Sequence, residues 1–348
     1  MNQAKVLNFF GLLLIMFGIS FAIPLFVAIF YGESLIRVFG LGMSILVLMG
    51  FLSWFFTKDN KQELSLSDGF VITVLFWIVL SVSGSIPFIL FGFGVVDSFF
   101  ESMSGITTTG ATVIAGLDDL PKSLLIYRQL LQWLGGMGLI VLAIAVMPLL
   151  GIGGGQLFKT QTPGPMSEQR LTPRITSTAR ALWSIYFVLT VLCIFAYRLA
   201  GMSYFDAVSH AFSTVSIGGF STHDLSIGFF DSLSIEIVCI TFMLLSAMSF
   251  AVHYSAIYRK QVLKYFYDPE LRFFVSLLIV ILGLVCLSLL TNDIDNPIRS
   301  GLFQTVSILT TTGFLTDEYS SWPAYISFML LVGAFIGACS GSVGGGIK

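Results

Sequence analysis

Three short stretches of this chain combine hydroxyl side chains with glycine, a composition that can turn backbone carbonyl oxygens toward a bare cation. Ser104–Thr112 reads SGITTTGAT, Ser307–Thr316 reads SILTTTGFLT, and a related SIGG begins at Ser216. Glycine reaches backbone conformations that are closed to most L-residues, so it can aim successive carbonyl groups at one axis. Rings of such oxygens replace the water around a monovalent cation in a pore, and small hydroxyl side chains keep the wall polar.

The three stretches match in frame when Gly110, Gly219 and Gly313 share one column. One such stretch alone is more typical of a close helix–helix contact built on small residues, but three in register favour a common function. We therefore predict three sides of an ion filter and call them the filter segments. Segment 1 comprises Thr107, Thr108, Thr109, Gly110 and Ala111, segment 2 comprises Ser216, Ile217, Gly218, Gly219 and Phe220, and segment 3 comprises Thr310, Thr311, Thr312, Gly313 and Phe314.

The elements that must position these segments are membrane helices. The chain has 348 residues, of which 56% are hydrophobic and 10% charged, whereas soluble domains carry about 25% charged residues. Uncharged runs of roughly 18 residues or more predict membrane spans. The runs are Val6–Gly32, Val38–Thr57, Gly69–Val96, Gln129–Phe158, Ala181–Tyr197, Ile237–Tyr258, Phe273–Asn292 and Tyr319–Ile347.

A short amphipathic stretch precedes each filter segment and is too short to cross a bilayer, which predicts a re-entrant half-helix. The C-terminal end of such a helix carries about half a negative charge and would favour cations. Irregular backbone at membrane depth is tolerated where it lines a watery path, so we expect the filter segments to face one axis. Acidic turns follow them, at Asp118, Asp231 and Asp317 among others. They predict a cation-attracting vestibule, although any one of these carboxylates is better explained as a solvated loop charge.

The chain is thus predicted to be an all-α polytopic membrane protein built from repeated units. Residues 1–64 form a helical hairpin, residues 65–160, 161–262 and 263–348 form units of span, half-helix, filter segment and span, and a fourth unit is missing. The last span runs into a glycine-rich stretch from Gly337, where a helix is not expected to continue. We expect the chain to be truncated after Lys348.

Basic residues predict a cytoplasmic N-terminus, because they concentrate on the sides of the spans that this orientation makes internal. The inner set comprises Lys5, Lys58, Lys61, Lys159, Arg170, Arg174, Arg180, Arg259, Lys260, Lys264 and Arg272, and the outer set comprises Arg37, Lys122, Arg128, Arg198 and Arg299. The cysteines lie singly in separate spans and predict neither disulfides nor a metal cluster.

The repeated units, the hairpin and the segment GACSGSVGGGIK at Gly337–Lys348 closely resemble the TrkH branch of the Trk/Ktr/HKT superfamily of potassium transporters. The resemblance implies four such units around a single pore, with one glycine of each unit coordinating potassium. Carried onto this sequence, the K⁺ ligands are Thr108, Thr109, Gly110, Ile217, Gly218, Gly219, Thr311, Thr312 and Gly313. Glycine at all three visible positions implies potassium rather than sodium, and K⁺ is the transported ion, with no organic cofactor.

The resemblance also implies a gate below the filter. This gating segment comprises Gly337, Ala338, Cys339, Ser340, Gly341, Ser342, Val343, Gly344, Gly345 and Gly346. A bacterial inner-membrane homodimer on a cytosolic ring of nucleotide-binding TrkA subunits is implied as well, and the basic loops Lys159–Arg180 and Arg259–Arg272 are candidates for that contact. No nucleic-acid partner is expected.

Parts of the sequence are also compatible with two other functions. A proton- or sodium-coupled transporter would place ionisable residues at depth, where Glu101 and His210 share a column with Gln304. A membrane-embedded enzyme would need a nucleophile such as Ser340 with His253 as its base, and nothing in the sequence orients that pair. We therefore predict that the chain is not an enzyme.

Overall fold

The computed structural model describes residues 3–58, 66–146, 175–292, 294, 296–319 and 322–347. These ranges contain helices and connecting turns and no strand, so the predicted all-α class is confirmed. The predicted loop at Lys159–Arg180 lies outside the described residues as far as Arg174, and so do Lys61 and Lys348. Residues 64 and 160, which bound two of the predicted parts, also lie outside the described residues. The division into a hairpin and three units therefore stays a prediction.

The helices follow one another with short connections. The first six helices are α1 (Gln3–Ser20), α2 (Ala22–Tyr31), α3 (Ile36–Thr57), α4 (Leu66–Phe91), α5 (Val95–Ile106) and α6, which is described over Lys122–Val146. After the next described residue, Ile175, come α7 (Ile175–Leu199), α8 (Tyr204–Val215), α9 (Leu233–Ala247), α10 (Phe250–Tyr258), α11 (Lys264–Tyr267), α12 (Pro269–Thr291), α13 (Pro297–Leu309) and α14 (Ala324–Ile336).

Five helical stretches among the described residues are long and apolar enough to cross a membrane. They are Gln3–Tyr31, Ile36–Thr57, Val71–Phe91, Arg180–Leu199 and Pro269–Thr291. Each coincides with a predicted span, so the chain is a multi-pass membrane protein. The predicted span Gln129–Phe158 overlaps α6, which begins earlier, and its part after Val146 lies outside the described residues.

Two predicted spans are not continuous helices. The predicted span Ile237–Tyr258 is apolar enough to cross a membrane, but α9 ends at Ala247 and α10 leaves it at an angle of 93°. The run contains neither proline nor glycine, so its sequence does not indicate this break. The run Tyr319–Ile347 is helical only over α14, and the glycine-rich gating segment is irregular, as its composition indicates.

The described residues fall into two compact units. Unit 1 holds α1–α6, and α1 packs along α3 at a point where Gly11 and Gly50 face each other. A Cβ atom on Gly50 would lie 2.6 Å from the Gly11 carbonyl oxygen, so only glycine allows this approach. In the same way, a Cβ on Gly135 of α6 would lie 1.9 Å from the Ile106 carbonyl oxygen at the end of α5. Glycine thus lets α6 press against the turn that begins filter segment 1.

Unit 2 holds the chain from Ala181 onward. Within it α13 packs against α9, α12 and α14. Arg299 in the first turn of α13 donates from Nε and Nη2 to the carboxylate of Glu236, at 3.0 and 2.8 Å, and from Nη2 to Asp231 at 2.9 Å. These bonds tie the start of α13 to the start of α9. Asp231, one of the predicted vestibule acids, is therefore paired with a cation of the chain itself.

Candidate ion filter and gating segment

Each of the short helices α5, α8 and α13 ends in the same hydrogen-bonded turn. After α5, the N–H of Thr108 donates to the carbonyl of Gly105 at 3.0 Å, and the N–H of Thr109 donates to that of Ser104 at 2.9 Å. The corresponding bonds after α8 are Ile217 to Thr214 and Gly218 to Ser213, and after α13 they are Thr311 to Ile308 and Thr312 to Ser307. This is the Schellman motif, which places one residue in the left-handed region just past the helix.

The left-handed residue of each turn is β-branched, which is unusual. Thr108, Ile217 and Thr311 have φ values of 55°, 54° and 64°, and β-branched residues are genuine outliers there. Each such position stores of the order of 1–3 kcal/mol of strain. Two residues later Gly110, Gly219 and Gly313 follow with φ of 79°, 80° and 85°. The three filter segments thus share one unusual backbone path, at the aligned positions.

Several carbonyl oxygens along this path have no hydrogen-bond donor. Within the part of the chain that the structure describes, the carbonyls of Thr108–Gly110 and of Thr311–Gly313 accept no hydrogen bond. Thr109 and Gly313 are exposed whereas Thr312 is buried, so these runs lead from the protein interior to an open surface. They are available to an ion without the loss of any bond inside the protein.

Threonine hydroxyls fix the turns of segments 1 and 3. The Thr107 hydroxyl donates to the carbonyl of Met103 at 2.7 Å, and therefore accepts, not donates, in its 2.7 Å bond with the Thr109 hydroxyl. Thr310 and Thr312 form the same pair at 2.8 Å. This local bonding explains why hydroxyl residues flank the strained position.

A second set of side chains ties each short helix to the extended segment that follows its filter segment. In unit 1 the buried carboxylate of Glu101 accepts from the Thr112 hydroxyl at 3.0 Å and from the Val113 N–H at 3.3 Å. Arg128 of α6 donates from Nε to Glu101 at 2.7 Å, and both side chains are 0% exposed. Arg128 Nη2 also reaches the Thr112 hydroxyl at 3.1 Å. A fully buried ion pair therefore holds Thr112 and Val113, the residues that follow filter segment 1.

The residues aligned with Glu101 make equivalent tethers in unit 2. His210 Nδ1 is bonded to the Asp206 carbonyl at 2.9 Å, and since a carbonyl only accepts, the neutral ring accepts at Nε2 from the Ser221 hydroxyl, also at 2.9 Å. Gln304 Nε2 donates to the carbonyl of Asp317 at 2.9 Å. Sequence reasoning considered Glu101 and His210 only as coupling groups and counted Arg128 as a surface charge. The column of three different polar side chains was visible in the sequence, but its role as a tether was not.

Ser307 offers a direct test of this scaffolding. Its hydroxyl donates to the carbonyl of Phe314 at 2.7 Å, whereas the hydroxyl of the aligned Ser104, also buried, has no partner in the described chain. We expect Ser307→Ala to lower the free energy of unfolding by about 1–3 kcal/mol, because it leaves a buried carbonyl unsatisfied. The matched Ser104→Ala variant should change it little. Thermal unfolding in detergent would measure both, and equal effects would contradict the assignment.

Filter segments 2 and 3 lie side by side in unit 2. A Cβ atom on Gly219 would fall 2.1 Å from the carbonyl oxygen of Thr312 and 3.1 Å from its carbonyl carbon. The structure thus brings these two predicted segments together through backbone atoms. Filter segment 1 belongs to unit 1 and has the same conformation.

The gating segment contacts both of these filter segments. The N–H of Gly345 donates to the Thr311 hydroxyl at 2.8 Å. A Cβ on Gly344 would lie 3.0 Å from the Thr310 carbonyl oxygen and 3.5 Å from Ile217 Cδ1. Ile217 also shares an apolar cluster with Ala338 and Cys339. Within unit 2, the glycine-rich stretch therefore packs directly against the residues predicted to bind the ion.

The contacts of the described residues support neither a catalytic Ser340–His253 pair nor a metal site. His253 is bonded at Nδ1 to the Tyr265 hydroxyl and at Nε2 to the Leu245 carbonyl, so both ring nitrogens are engaged away from Ser340. Among the described residues no group of three or more His, Cys, Asp or Glu side chains could hold a metal ion.

Comparison with known proteins places the chain in a family. Residues 35–348 match the family model described as "TrkH: Cation transport protein". The Trk system potassium uptake protein TrkH of Halomonas elongata is 48% identical over 354 residues, covering all of this chain and 73% of that protein. The TrkH protein of Vibrio parahaemolyticus is 47% identical over 359 residues, with 74% of its length covered.

A solved structure agrees with these matches. The crystal structure of the potassium transporter TrkH from Vibrio parahaemolyticus superposes with a TM-score of 0.87 at 45% identity, over 99% of this chain and 72% of that one. The expectation of a truncated chain is not borne out by these comparisons. The family match over most of the sequence and the agreement in fold together establish that this chain belongs to the TrkH family of cation transport proteins.

Proposed function

We propose that this chain is the pore-forming, potassium-translocating subunit of a Trk-type uptake system. The relatives that it matches along its whole length are named potassium uptake proteins. The observation that carries the mechanism is the shared backbone path of the filter segments, with carbonyls that accept no hydrogen bond at Thr108–Gly110 and Thr311–Gly313 within the described chain. A dehydrated K⁺ ion needs such oxygens in place of its water.

Ion binding at these carbonyls explains two features of the filter segments. The left-handed β-branched residues Thr108, Ile217 and Thr311 store strain that a simple turn would avoid. The half-negative C-terminal ends of α5, α8 and α13 point into the turns that carry the filter residues, and they favour a cation there. Passive flow of K⁺ through this filter, blocked by the gating segment until it moves, is the simplest mechanism consistent with both.

A coupled transporter is the second candidate, and the tethers weigh against it. Glu101 is bound to Arg128, Thr112 and Val113, and His210 is bound at both ring nitrogens. A coupling group must exchange its proton or cation during transport, whereas these side chains hold the filter in place.

The family and the charge pattern support a wider setting for this function. The chain acts in a lipid bilayer, and we propose the bacterial inner membrane, a cytoplasmic N-terminus and a homodimer. A cytosolic nucleotide-binding TrkA-type subunit would control the gating segment. We propose no enzymatic activity and no organic cofactor, with K⁺ as the transported ion.

Glycine replacement in the filter tests the proposal. We expect Gly110→Ser and Gly313→Ser to lower discrimination of K⁺ against Na⁺, because a side chain at φ of 79° or 85° strains the backbone that presents the carbonyls. The left-handed conformation costs an L-residue about 1–2 kcal/mol, so the backbone is expected to relax away from the geometry that suits K⁺. The measurement is ⁸⁶Rb⁺ uptake into liposomes in competition with K⁺ or Na⁺.

Gly283 in α12 provides the matched control, because a Cβ there would meet nothing within 4 Å and its φ is not left-handed. Gly283→Ser should leave ion discrimination unchanged. Selectivity untouched in both filter variants would show that these segments are not the filter.

A further inference from the structure

The break between α9 and α10 has no cause in its own sequence. The residues Ser246-Ala247-Met248-Ser249-Phe250 include neither proline nor glycine, yet the two helices meet at 93°. Sharp kinks arise at proline, at glycine and serine pairs, at π-bulges or where another group inserts into the ladder of helical bonds. Within the described residues, the hydroxyls of Ser246 and Ser249 make no hydrogen bond that would bend the helix, so the cause lies in bonds made by a group from elsewhere in the chain.

The gating segment is that group. The N–H of Cys339 donates to the carbonyl of Ala247 at 3.0 Å, and the N–H of Val343 donates to that of Ser246 at 3.4 Å. In the other direction, the carbonyl of Gly341 accepts from the N–H of Phe250 at 3.0 Å. The gating segment thus satisfies the last carbonyls of α9 and the first N–H of α10, which the break would leave without partners.

These bonds replace the ones that a continuous helix would make. In an unbroken α-helix the Phe250 N–H bonds to the Ser246 carbonyl, and the Ala251 N–H bonds to the Ala247 carbonyl. The same two carbonyls now bind the gating segment. A straight α9–α10 helix and a docked gating segment therefore exclude each other, because they compete for the same backbone groups.

Other contacts fasten the docked arrangement to its surroundings. Glu270 in the first turn of α12 accepts from the Ser340 N–H at 2.5 Å. Ala247 and Cys339 share an apolar cluster with Leu271 and Phe274 of the same helix. The gating segment is held on one side by the broken helix and on the other by the beginning of α12.

His253 joins the break to the short helix α11. Its Nε2 donates to the carbonyl of Leu245 at 2.8 Å, so its Nδ1 accepts from the Tyr265 hydroxyl at 2.7 Å. Burial raises the pKa of Tyr265, which keeps this hydroxyl protonated as the donor. A movement of α11 would act on the last turn of α9 through this ring.

We propose that the α9–α10 break positions the gating segment: the bent helix and Glu270 hold it against filter segments 2 and 3, and straightening of residues 246–251 releases it. This inference rests on the gating role given to the segment under the proposed function. It adds the residues that set the balance between the held and the released state.

Ser249→Pro tests the proposal by locking the bend. Ser249 has φ of −59° and Met248 has φ of −78° and ψ of 152°, which suit a proline and the residue before it. The Ser249 side chain caps nothing. Proline is excluded from a helix interior, so the straight form should become about a hundredfold rarer. Ser249→Ala at the same site favours the straight form by about twofold and is the matched opposite.

Cys339 reports the release of the segment, because it is only 2% exposed while the segment is docked. In the full-length protein, with Cys193, Cys239 and Cys286 replaced by alanine, its labelling by a membrane-impermeant thiol reagent added on both sides would be timed. We expect labelling and ⁸⁶Rb⁺ flux to fall in Ser249→Pro and to rise in Ser249→Ala. Labelling at the unsubstituted rate in both variants would overturn the proposal.

Deletion of Gly341–Gly345 separates this inference from the gating role itself. The deletion should raise basal flux if the segment is a gate. Raised flux in the deletion with no response of Cys339 to either Ser249 variant would reject the coupling alone. Unchanged flux in the deletion, with Cys339 labelling that follows the Ser249 variants, would reject the gate and support the competition between helix and segment.

Discussion

Arg128→Met is expected to lower the free energy of unfolding by about 3–5 kcal/mol, because it leaves a buried carboxylate without its partner. Glu101 and Arg128 are both 0% exposed, and their 2.7 Å bond holds Thr112 and Val113 beside filter segment 1. An unpaired Glu101 carboxylate would be drawn toward water, and this movement would loosen the segment Thr112–Val113. Thermal unfolding in detergent measures the loss of stability, and ⁸⁶Rb⁺ uptake in competition with Na⁺ measures the effect on selectivity.

The double variant Glu101→Gln/Arg128→Met is the control. It removes both charges, and uncharged replacements of buried ion pairs are often neutral. Gln304, which is aligned with Glu101, makes its tether through an amide. We expect the double variant to recover most of the stability that Arg128→Met loses. Equal destabilisation in the single and double variants would mean that packing of the Arg128 side chain matters more than the ion pair.

Gly219→Ala should be the most damaging alanine substitution in the filter segments of unit 2. Its φ of 80° costs an L-residue about 1–2 kcal/mol. Its Cβ would also fall 2.1 Å from the Thr312 carbonyl oxygen, so one of the two backbones must move, at about 1–3 kcal/mol more. Because Thr312 is a proposed K⁺ ligand, this movement should reduce K⁺ uptake as well as stability.

Gly313→Ala separates strain from crowding. Gly313 has a similar φ of 85°, but a Cβ there meets nothing within 4 Å. We expect it to lose only the conformational part of the stability, and parallel unfolding curves of the two variants would measure the difference. If Gly313→Ala is as destabilising as Gly219→Ala, the close contact between segments 2 and 3 is not maintained in the membrane.

The parts of this site that were predictable follow from residue types with narrow physical uses. Gly110, Gly219 and Gly313 occupy left-handed positions, which glycine adopts without penalty, so their shared place in three matching motifs predicted the filter segments. The gating segment was likewise expected to be irregular, because its glycines disfavour helix. The apolar runs located the spans since a bilayer accepts little else.

The rest could not be read from one sequence, because tertiary contacts overrule local preference there. Thr108, Ile217 and Thr311 are left-handed although β-branched residues avoid that region. The bend at Met248 and Ser249 occurs in a segment with no helix-breaking residue, and its cause lies at Cys339, Gly341 and Val343. Arg128 was predicted to be a surface charge, because its partner Glu101 is 27 residues away in the sequence.

The reciprocal bonds between the broken helix and the gating segment also constrain how the protein is made. Ser246 and Ala247 leave the ribosome long before Cys339 and Val343, the residues that will satisfy their carbonyls. In the interval the newly inserted segment has no partner except its own chain, so we expect residues 233–258 to enter the bilayer as one uninterrupted helix. The bend is then a late step of maturation, completed only when the gating segment has been synthesised and has docked.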